Sequence, residues 1–148
     1  MSWNDLRKNR FSQKNGEYFI TFTCQNRSKI FSNHLAASVF CQQIKRNQQH
    51  CNCLWKTWVL MPDHFHGLLK LNDENLSETI GHLKGSSANR VNKTLGASGK
   101  IWQESFYDRG LREEEDRIAV ARYIVANPLR AKLVNDIRLY SYWDSIYL

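Results

Sequence analysis

The 148-residue sequence lacks most features that would divide a chain or anchor it in a membrane. It contains only two prolines and seven glycines, and it has no Pro/Gly-rich linker, repeat or low-complexity segment to mark a domain boundary. No apolar run is long enough for a transmembrane helix. The polar, basic N-terminus lacks the apolar centre of a secretory signal. We therefore expect one domain over residues 1–148, located in the cytoplasm and not in a membrane.

Acidic residues and cysteines are also few. The sequence has 14 Asp and Glu residues and 21 Lys and Arg residues, which gives a formal net charge of +7. This surplus favours an anionic partner, with nucleic acid first and a membrane surface second. Four cysteines suit free thiols in a reducing compartment better than a disulfide framework. A metal site of His50, Cys51 and Cys53 is the alternative, although C-x-C lacks the usual zinc spacing.

Hydrophobic periodicity predicts an α+β fold. Strands are predicted at 17–25, 53–61 and 64–71, with the last two joined by a tight turn. Helices are predicted at 35–49, 76–95 and 113–127, and Asn127 would cap a short helix beginning at Pro128. Residues 98–112 indicate a loop with one or two short strands. Trp102, Phe106 and Tyr107 are expected to be strand residues in the protein core rather than to stack on bases. The order β-α-β-β-α-β-α indicates a ferredoxin-like antiparallel sheet with helices on one face.

The stretch HFH at 64–66 places two histidines in an otherwise apolar strand. Alternate strand residues point to one side, about 6.5–7 Å apart, so His64 and His66 can converge on one metal ion. Two imidazoles leave coordination positions open, as a catalytic metal requires. An ordinary hydrogen-bonded histidine pair is the alternative for this motif alone. Metallo-β-lactamase motifs need further ligands where this chain has Leu68 and Leu69.

A tyrosine on the last predicted helix, Tyr123, lies one turn before Asn127, so the two side chains share a helix face. A lone helical tyrosine is usually a packing residue. Combined with a metal site and a basic surface, it becomes a candidate nucleophile, because a metal on the scissile phosphate would stabilise the developing charge. The helix would bury a stripe formed by Ile118, Ala121, Ile124 and Val125.

Three segments, WVLMPDHFHGLLKL, IWQESFYDRGLREEED and RYIVANPLRAKLV, occur in an order that resembles one family. With the opening strand, the likeness spans residues 16–143 and resembles the single-tyrosine HUH transposases, in particular the REP-associated tyrosine transposases. The resemblance implies a ferredoxin-like nuclease with its HUH motif on a central strand. Such an enzyme would cut and rejoin single-stranded DNA beside a REP-like hairpin, through a 5′-phosphotyrosine and a free 3′-hydroxyl.

The resemblance also implies roles for individual residues. Tyr123 matches the nucleophile, His64 and His66 match the metal-binding pair, and Asn127 matches a third ligand. The implied cofactor is Mg²⁺ or Mn²⁺, although two imidazoles by themselves suit Mn²⁺ or Zn²⁺ better. Two positions depart from the family pattern: Asp63 stands where Asn is usual, and Lys132 where Gly is common.

Contacts to DNA are expected from basic residues near the N-terminus, on the middle helix and around the tyrosine helix. These are Arg10, Lys14, Lys84, Arg90, Arg109, Arg112 and Arg130. A monomer is favoured over a homodimer. The alternatives to a DNA-cutting enzyme are a catalytically silent DNA-binding protein of the same fold and a small metal-dependent hydrolase in which water attacks.

Overall fold

A computed structural model describes residues 15–148 as an antiparallel sheet with helices on both faces. Its strands are β1 (Glu17–Thr23), β2 (Cys53–Leu60), β3 (His64–Leu71), β4 (Tyr107–Gly110) and β5 (Trp143–Ser145). Its helices are α1 (His34–Cys51), α2 (Leu76–Leu95), α3 (Arg117–Val125) and α4 (Asn127–Arg130). The strand order is β4-β1-β3-β2-β5, which puts the two histidines on the central strand. The predicted α+β, ferredoxin-like architecture is confirmed.

One face of the sheet packs against α1 and α2 and forms the main core. The first strand is half-buried, since Tyr18, Ile20 and Phe22 are all buried on this side and alternate with partly exposed residues. Phe65, between the two histidines, points the same way and stacks on Phe22 with ring centroids 4.8 Å apart. Because neighbouring strand residues face opposite sides, burying Phe65 in this core turns both histidines to the other face.

Gly67 brings β3 unusually close to the indole of Trp55. A Cβ built on Gly67 would lie 2.6 Å from Trp55 Cζ3 and 2.7 Å from its Cε3. The indole is fixed in turn, since its Nε1 donates a 2.8 Å hydrogen bond to Oδ1 of the fully buried Asn47. Glycine at position 67 is therefore a packing requirement of the histidine strand.

The helix α3 covers the second face of the sheet, so the expectation of helices on one face only was wrong. Val59, Met61 and Leu68 form a buried cluster with Ile124 of this helix. Val59 and Leu68 lie on strands and Met61 directly follows β2. All three are apolar although they lie outside the main core, and a second layer is needed to remove them from water. This layer brings the tyrosine helix over the histidine face.

The bounds and caps of the last helices differ from the predictions. The helix α3 begins at Arg117 rather than at 113, because Asp116 Oδ1 accepts hydrogen bonds from the amides of Ile118 (2.9 Å) and Ala119 (3.1 Å). Ile118 is 43% exposed, so its predicted place in the buried stripe was wrong. Asn127 does not cap α4; it lies within that helix, and its Nδ2 donates to Ile124 O at 2.8 Å.

The four cysteines are free thiols, as predicted. Burial raises the pKa of both Cys24 and Cys53 to about 12, which keeps them protonated and unreactive. The ring of His50 stacks on His82, with centroids 4.2 Å apart. Over the described residues, no helix combines the length and apolarity that crossing a membrane requires.

Candidate active site

The two histidines project from the central strand onto the face covered by α3. Their ring centroids lie 4.7 Å apart and the rings are nearly perpendicular, at 79°. In antiparallel sheets directly opposed residues share a face, so the strand register aligns side chains around His66 in one row. This row crosses all five strands through Tyr107, Thr21, His66, Val59 and Trp143.

Each imidazole is oriented through its Nδ1 atom. His66 Nδ1 lies 2.7 Å from the hydroxyl of Thr21, its partner across the strands. His64 Nδ1 lies 2.6 Å from Asp63 Oδ1, and an ionised carboxylate can only accept, so His64 is the donor. A ring whose Nδ1 is held in this way directs Nε2 towards a ligand, the usual arrangement behind metal-binding histidines.

Asp63 contacts the Nδ1 side of the His64 ring and not the Nε2 atom. Its Oδ1 bonds the imidazole, while Oδ2 pairs with the guanidinium of Arg27 at 3.2 Å. Burial raises the pKa of Asp63, but the hydrogen bond from His64 and the charge of Arg27 outweigh it and hold the pKa below its usual range. With both oxygens engaged and ionised, this carboxylate orients the histidine.

The donor set fits a divalent cation. Burial, together with the nearby His64 and Arg130, lowers the pKa of His66 to about 3, so its ring is neutral, as a metal ligand must be. Within residues 15–148, no three His, Cys, Asp or Glu side chains are grouped so as to hold a metal ion. A third protein ligand would therefore be of another type. The amide of Asn127 is of that type, although its hydrogen bond is to Ile124 rather than to either histidine.

Tyr123 stands on the same face of the sheet, one aromatic ring away from the histidines. Its ring centroid lies 6.3 Å from that of Phe19, which in turn lies 5.7 Å from His66. The tyrosine side chain is 58% exposed, unlike the buried Ile124 beside it. The structure thus brings Tyr123 and the histidine pair together across Phe19, with the phenol open to solvent.

Arg130, on the helix that follows, covers the ring of Tyr123. Its guanidinium carbon lies 4.2 Å from the ring centroid, and its Nη2 donates to the Tyr123 carbonyl at 2.9 Å. The same cation is near enough to His66 to lower the pKa of that imidazole. One positive charge therefore contacts the ring of Tyr123 and acts electrostatically on His66.

The tyrosine helix is fastened to the sheet at its first residue. Arg117 Nε donates to Glu17 Oε2 at 2.5 Å, and Lys56 Nζ donates to the other oxygen of the same carboxylate. Burial raises the pKa of Glu17, but the hydrogen bonds and charges of these two cations outweigh it and hold the pKa below its usual value. One carboxylate on β1 thus connects β2 with the start of α3.

The basic residues predicted to contact DNA occupy different places. Arg130 lies over the ring of Tyr123. Arg109 lies on β4 near it and makes two hydrogen bonds to Glu115, at 2.9 and 3.0 Å. Arg112 has an 80% exposed side chain in the loop before α3. All three are on the tyrosine side of the molecule, where they remain predicted contacts.

The remaining candidates lie elsewhere. Lys84 Nζ donates to the carbonyls of Gln103 and Ser105, at 2.6 and 3.1 Å, and so holds the loop before β4. Arg90 lines a groove between α1 and α2, on the sheet face opposite to the histidines. Arg10 and Lys14 lie outside the described residues.

Several residues of the site were missed by sequence reasoning. Thr21 was one polar position in an alternating strand, and only the register of β1 against β3 shows that it meets His66. Nothing in the sequence pattern indicated that Phe19 or Arg27 belongs to the site. Trp102 and Phe106 are buried as expected, but Tyr107 is only partly buried and lines a pocket with Tyr123, which corrects its placement in the core.

Comparisons with known proteins agree with this architecture. A family model described as IS200-like transposase matches residues 12–127. A Haemophilus influenzae protein, provisionally named REP-associated tyrosine transposase, is 26% identical over 140 residues, which cover 87% of this chain and 79% of the relative.

Two solved structures share the fold. That of a REP-associated tyrosine transposase bound to a REP hairpin matches with a TM-score of 0.76 at 21% identity, over 91% of this chain and 79% of that one. A provisionally assigned transposase from Deinococcus radiodurans matches with a TM-score of 0.57 at 20% identity, over 78% and 93% of the two chains. The resemblance inferred from the sequence motifs is confirmed.

Proposed function

The chain belongs to the IS200-like transposase family, and from this premise we propose that it cuts and rejoins single-stranded DNA beside a hairpin. The REP hairpin in the complex of the structural neighbour supports the choice of substrate, as does the net charge of +7. Tyr123 would be the nucleophile, and a 5′-phosphotyrosine would be the intermediate.

The observation that carries this proposal is the placement of Tyr123 opposite the histidine pair. Phe19 contacts both Tyr123 and His66, so a phosphate above this ring would be within reach of the phenol and of the imidazoles. A tyrosine that served only for packing would be buried, whereas this one is 58% exposed. Its solvent-facing position suits attack on a strand that arrives from outside.

The reaction exchanges one phosphodiester for another. The phenol oxygen of Tyr123 would form a bond to phosphorus while the bond to the 3′ oxygen breaks, which leaves a free 3′-hydroxyl. The phenol proton leaves to solvent, to which the side chain is open, and the 3′ oxygen takes up a proton. Because the phosphotyrosine conserves the bond energy, the reverse attack by a 3′-hydroxyl rejoins the strand without an external energy source.

Arg130 supplies a permanent positive charge beside the proposed nucleophile. A guanidinium whose carbon lies 4.2 Å from the centre of the phenol ring would attract the oxygens of a phosphate that arrives there. The carbonyl of Tyr123 holds that guanidinium in place, so little reorganisation is needed when charge develops. Arg130 would thus hold the substrate phosphate beside the nucleophile.

Mg²⁺ or Mn²⁺ would be held by Nε2 of His64 and His66 and by the amide oxygen of Asn127. When bound, the ion would polarise the scissile phosphate as a Lewis acid. The chain's own part is to keep His66 neutral through burial and to orient both imidazoles through Thr21 and Asp63. Two imidazole ligands favour Mn²⁺ over Mg²⁺ in the purified protein.

We further propose that one chain forms a complete site and acts as a monomer. Phe19 touches His66 and Tyr123 of its own chain, so no second copy is needed to complete the arrangement. Light scattering on the protein with and without DNA checks this. A dimer whose Tyr123→Phe and His64→Ala chains restore cutting when mixed would contradict it.

The deciding experiment is a denaturing gel of protein incubated with Mn²⁺ and labelled hairpin oligonucleotides from the DNA flanking its gene. We expect a shifted, protease-sensitive band that is absent in Tyr123→Phe and His64→Ala. Tyr142→Phe is the matched control, because Tyr142 contacts His34 at the start of α1 and should leave cutting intact. DNA binding without any adduct would instead indicate a silent DNA-binding protein, and cutting by Tyr123→Phe would exclude the tyrosine as nucleophile.

A further inference from the structure

An apolar pocket opens directly beside Tyr123, between the edge of the sheet and the tyrosine helix. Its volume is about 440 Å³. Phe19 and Tyr107 contribute its walls from β1 and β4, and small side chains of α3 leave it open. The lining residues are Phe19, Tyr107, Arg109, Ala119, Val120 and Tyr123.

The walls of this pocket suit a flat aromatic ligand. Phe19 lies 6.5 Å from Tyr107 and 6.3 Å from Tyr123 between ring centroids, with interplanar angles of 74° and 53°. Three rings therefore surround one space in different orientations, so a planar group entering it meets both ring faces and ring edges. Ala119 in place of a larger side chain leaves room for it.

The charges around the pocket indicate a ligand whose planar aromatic group carries a negatively charged substituent. Arg109 lines the pocket and Arg130 lies over the outer ring, that of Tyr123. The lining residues include no carboxylate, although Arg109 donates to the carboxylate of Glu115, so the cation at the pocket whose hydrogen bond goes to a carbonyl and not to a carboxylate is Arg130. An aromatic cavity between two guanidinium groups is complementary to a nucleobase with phosphates on its sugar.

We propose that this pocket holds the base of a nucleotide adjoining the scissile phosphate. The inference rests on the proposed function, because Tyr123 is at once a wall of the pocket and the proposed nucleophile. A base stacked against the walls would place its own phosphate next to the phenol oxygen. The pocket would thereby select the position along the strand at which Tyr123 attacks.

Fluorescence of 2-aminopurine tests the pocket without any cleavage. The base analogue is placed on either side of the scissile phosphate in a hairpin oligonucleotide, or six nucleotides away as a control. Binding to the Tyr123→Phe protein, which keeps the ring but not the nucleophile, should quench one adjoining position and leave the distant one unchanged. Tyr107→Leu in that background should abolish the quenching and weaken binding about 5- to 150-fold, the range for one stacked base.

Two controls separate stacking from damage to the fold. Tyr107→Phe keeps the ring and should keep the quenching. An abasic site at the adjoining nucleotide should weaken binding as much as Tyr107→Leu does, and the two changes together should have no larger effect than either alone. Additive losses, or quenching that survives Tyr107→Leu, would overturn the pocket while leaving tyrosine cleavage intact. Failure of every variant and of the wild type to bind the DNA would overturn the proposed function together with the pocket.

Discussion

Replacing Gly67 by alanine should destabilise the fold, because the added methyl group has no space. The new Cβ would lie 2.6 Å from Trp55 Cζ3, 2.7 Å from Cε3 and 3.1 Å from Phe65 Cε1. An ordinary contact needs at least about 3.4 Å, so the indole and the strand must separate by about 0.8 Å. Trp55 is 3% exposed and cannot swing into solvent without opening the core.

The cost follows from two changes. Overpacking by one methyl group in a close-packed core costs about 1–3 kcal/mol, and losing the buried hydrogen bond from Trp55 to Asn47 would add about 1 kcal/mol. The free energy of unfolding should therefore fall by about 2–4 kcal/mol. For a chain of this length, that corresponds to a decrease in Tm of roughly 4–16 °C.

Thermal and urea unfolding measure the effect, with Gly81→Ala as the matched control. Gly81 is an exposed glycine inside α2, with no atom within 4 Å of a Cβ built on it. Alanine there should raise stability by about 0.5–1 kcal/mol through helix propensity and lower unfolded-state entropy. If Gly67→Ala cost less than about 0.5 kcal/mol, the close approach of β3 to Trp55 would not be a packing constraint and the reasoning would fail.

Three further predictions follow from single contacts. Asp63→Asn keeps an acceptor for the neighbouring histidine but removes its charge, so Mn²⁺ affinity measured by calorimetry should fall about tenfold; unchanged affinity would show that the carboxylate only makes the turn. Lys132 has φ 59° just after α4, a conformation that favours glycine, so Lys132→Gly should raise Tm by about 1–4 °C, and a lower Tm would contradict this. Glu17→Gln should cost about 1–3 kcal/mol at pH 7, because it leaves Lys56 and Arg117 largely buried without their anion. The folded-state pKa of Glu17 is lowered, so its contribution is complete above the unfolded pKa of about 4.3 and is lost as the pH falls through the folded value. Urea unfolding of wild type and Glu17→Gln should therefore converge in acid, and a difference independent of pH would refute the linkage.

The sequence predicts elements best where the decisive signals are local. The helix α2 runs over 76–95 as predicted, since Asn75 caps its first turn and Gly96 ends it in the left-handed conformation. The strand β3 also has its predicted bounds, because Pro62 and Asp63 fix the turn before it. In both cases, residues within one turn of the boundary determine where the element begins.

Elements defined by distant partners were harder to predict. The run of acidic residues at 113–116 offers four possible starts for α3, and only the fold selects Asp116 as the cap. The strand β5 has three residues and exists through pairing with β2, whose partner residues lie 84 to 88 positions earlier in the chain. Tyr107 was misplaced for the same reason, since its exposure depends on how α3 crosses the sheet.

The site itself combines a local pattern with a tertiary one. Alternation along β3 is enough to place His64 and His66 on one face, but their orientation depends on Thr21 through strand register and on Asp63 through the turn. The histidine half is thus built into the central strand of the sheet, where Phe65 and Gly67 fix it from the opposite side.

The tyrosine half is attached quite differently. Tyr123 lies on a nine-residue helix joined to the sheet by the Glu17 ion pairs at one end and by the cluster around Ile124 near the other. A helix this short has little stability of its own, so its position follows from these few contacts. Such a division suits the proposed chemistry, because ligand geometry requires a rigid scaffold, whereas a nucleophile that attacks and is later released must exchange one strand end for another. The pocket beside Tyr123 lies on the same exposed side, where an incoming nucleotide would be admitted.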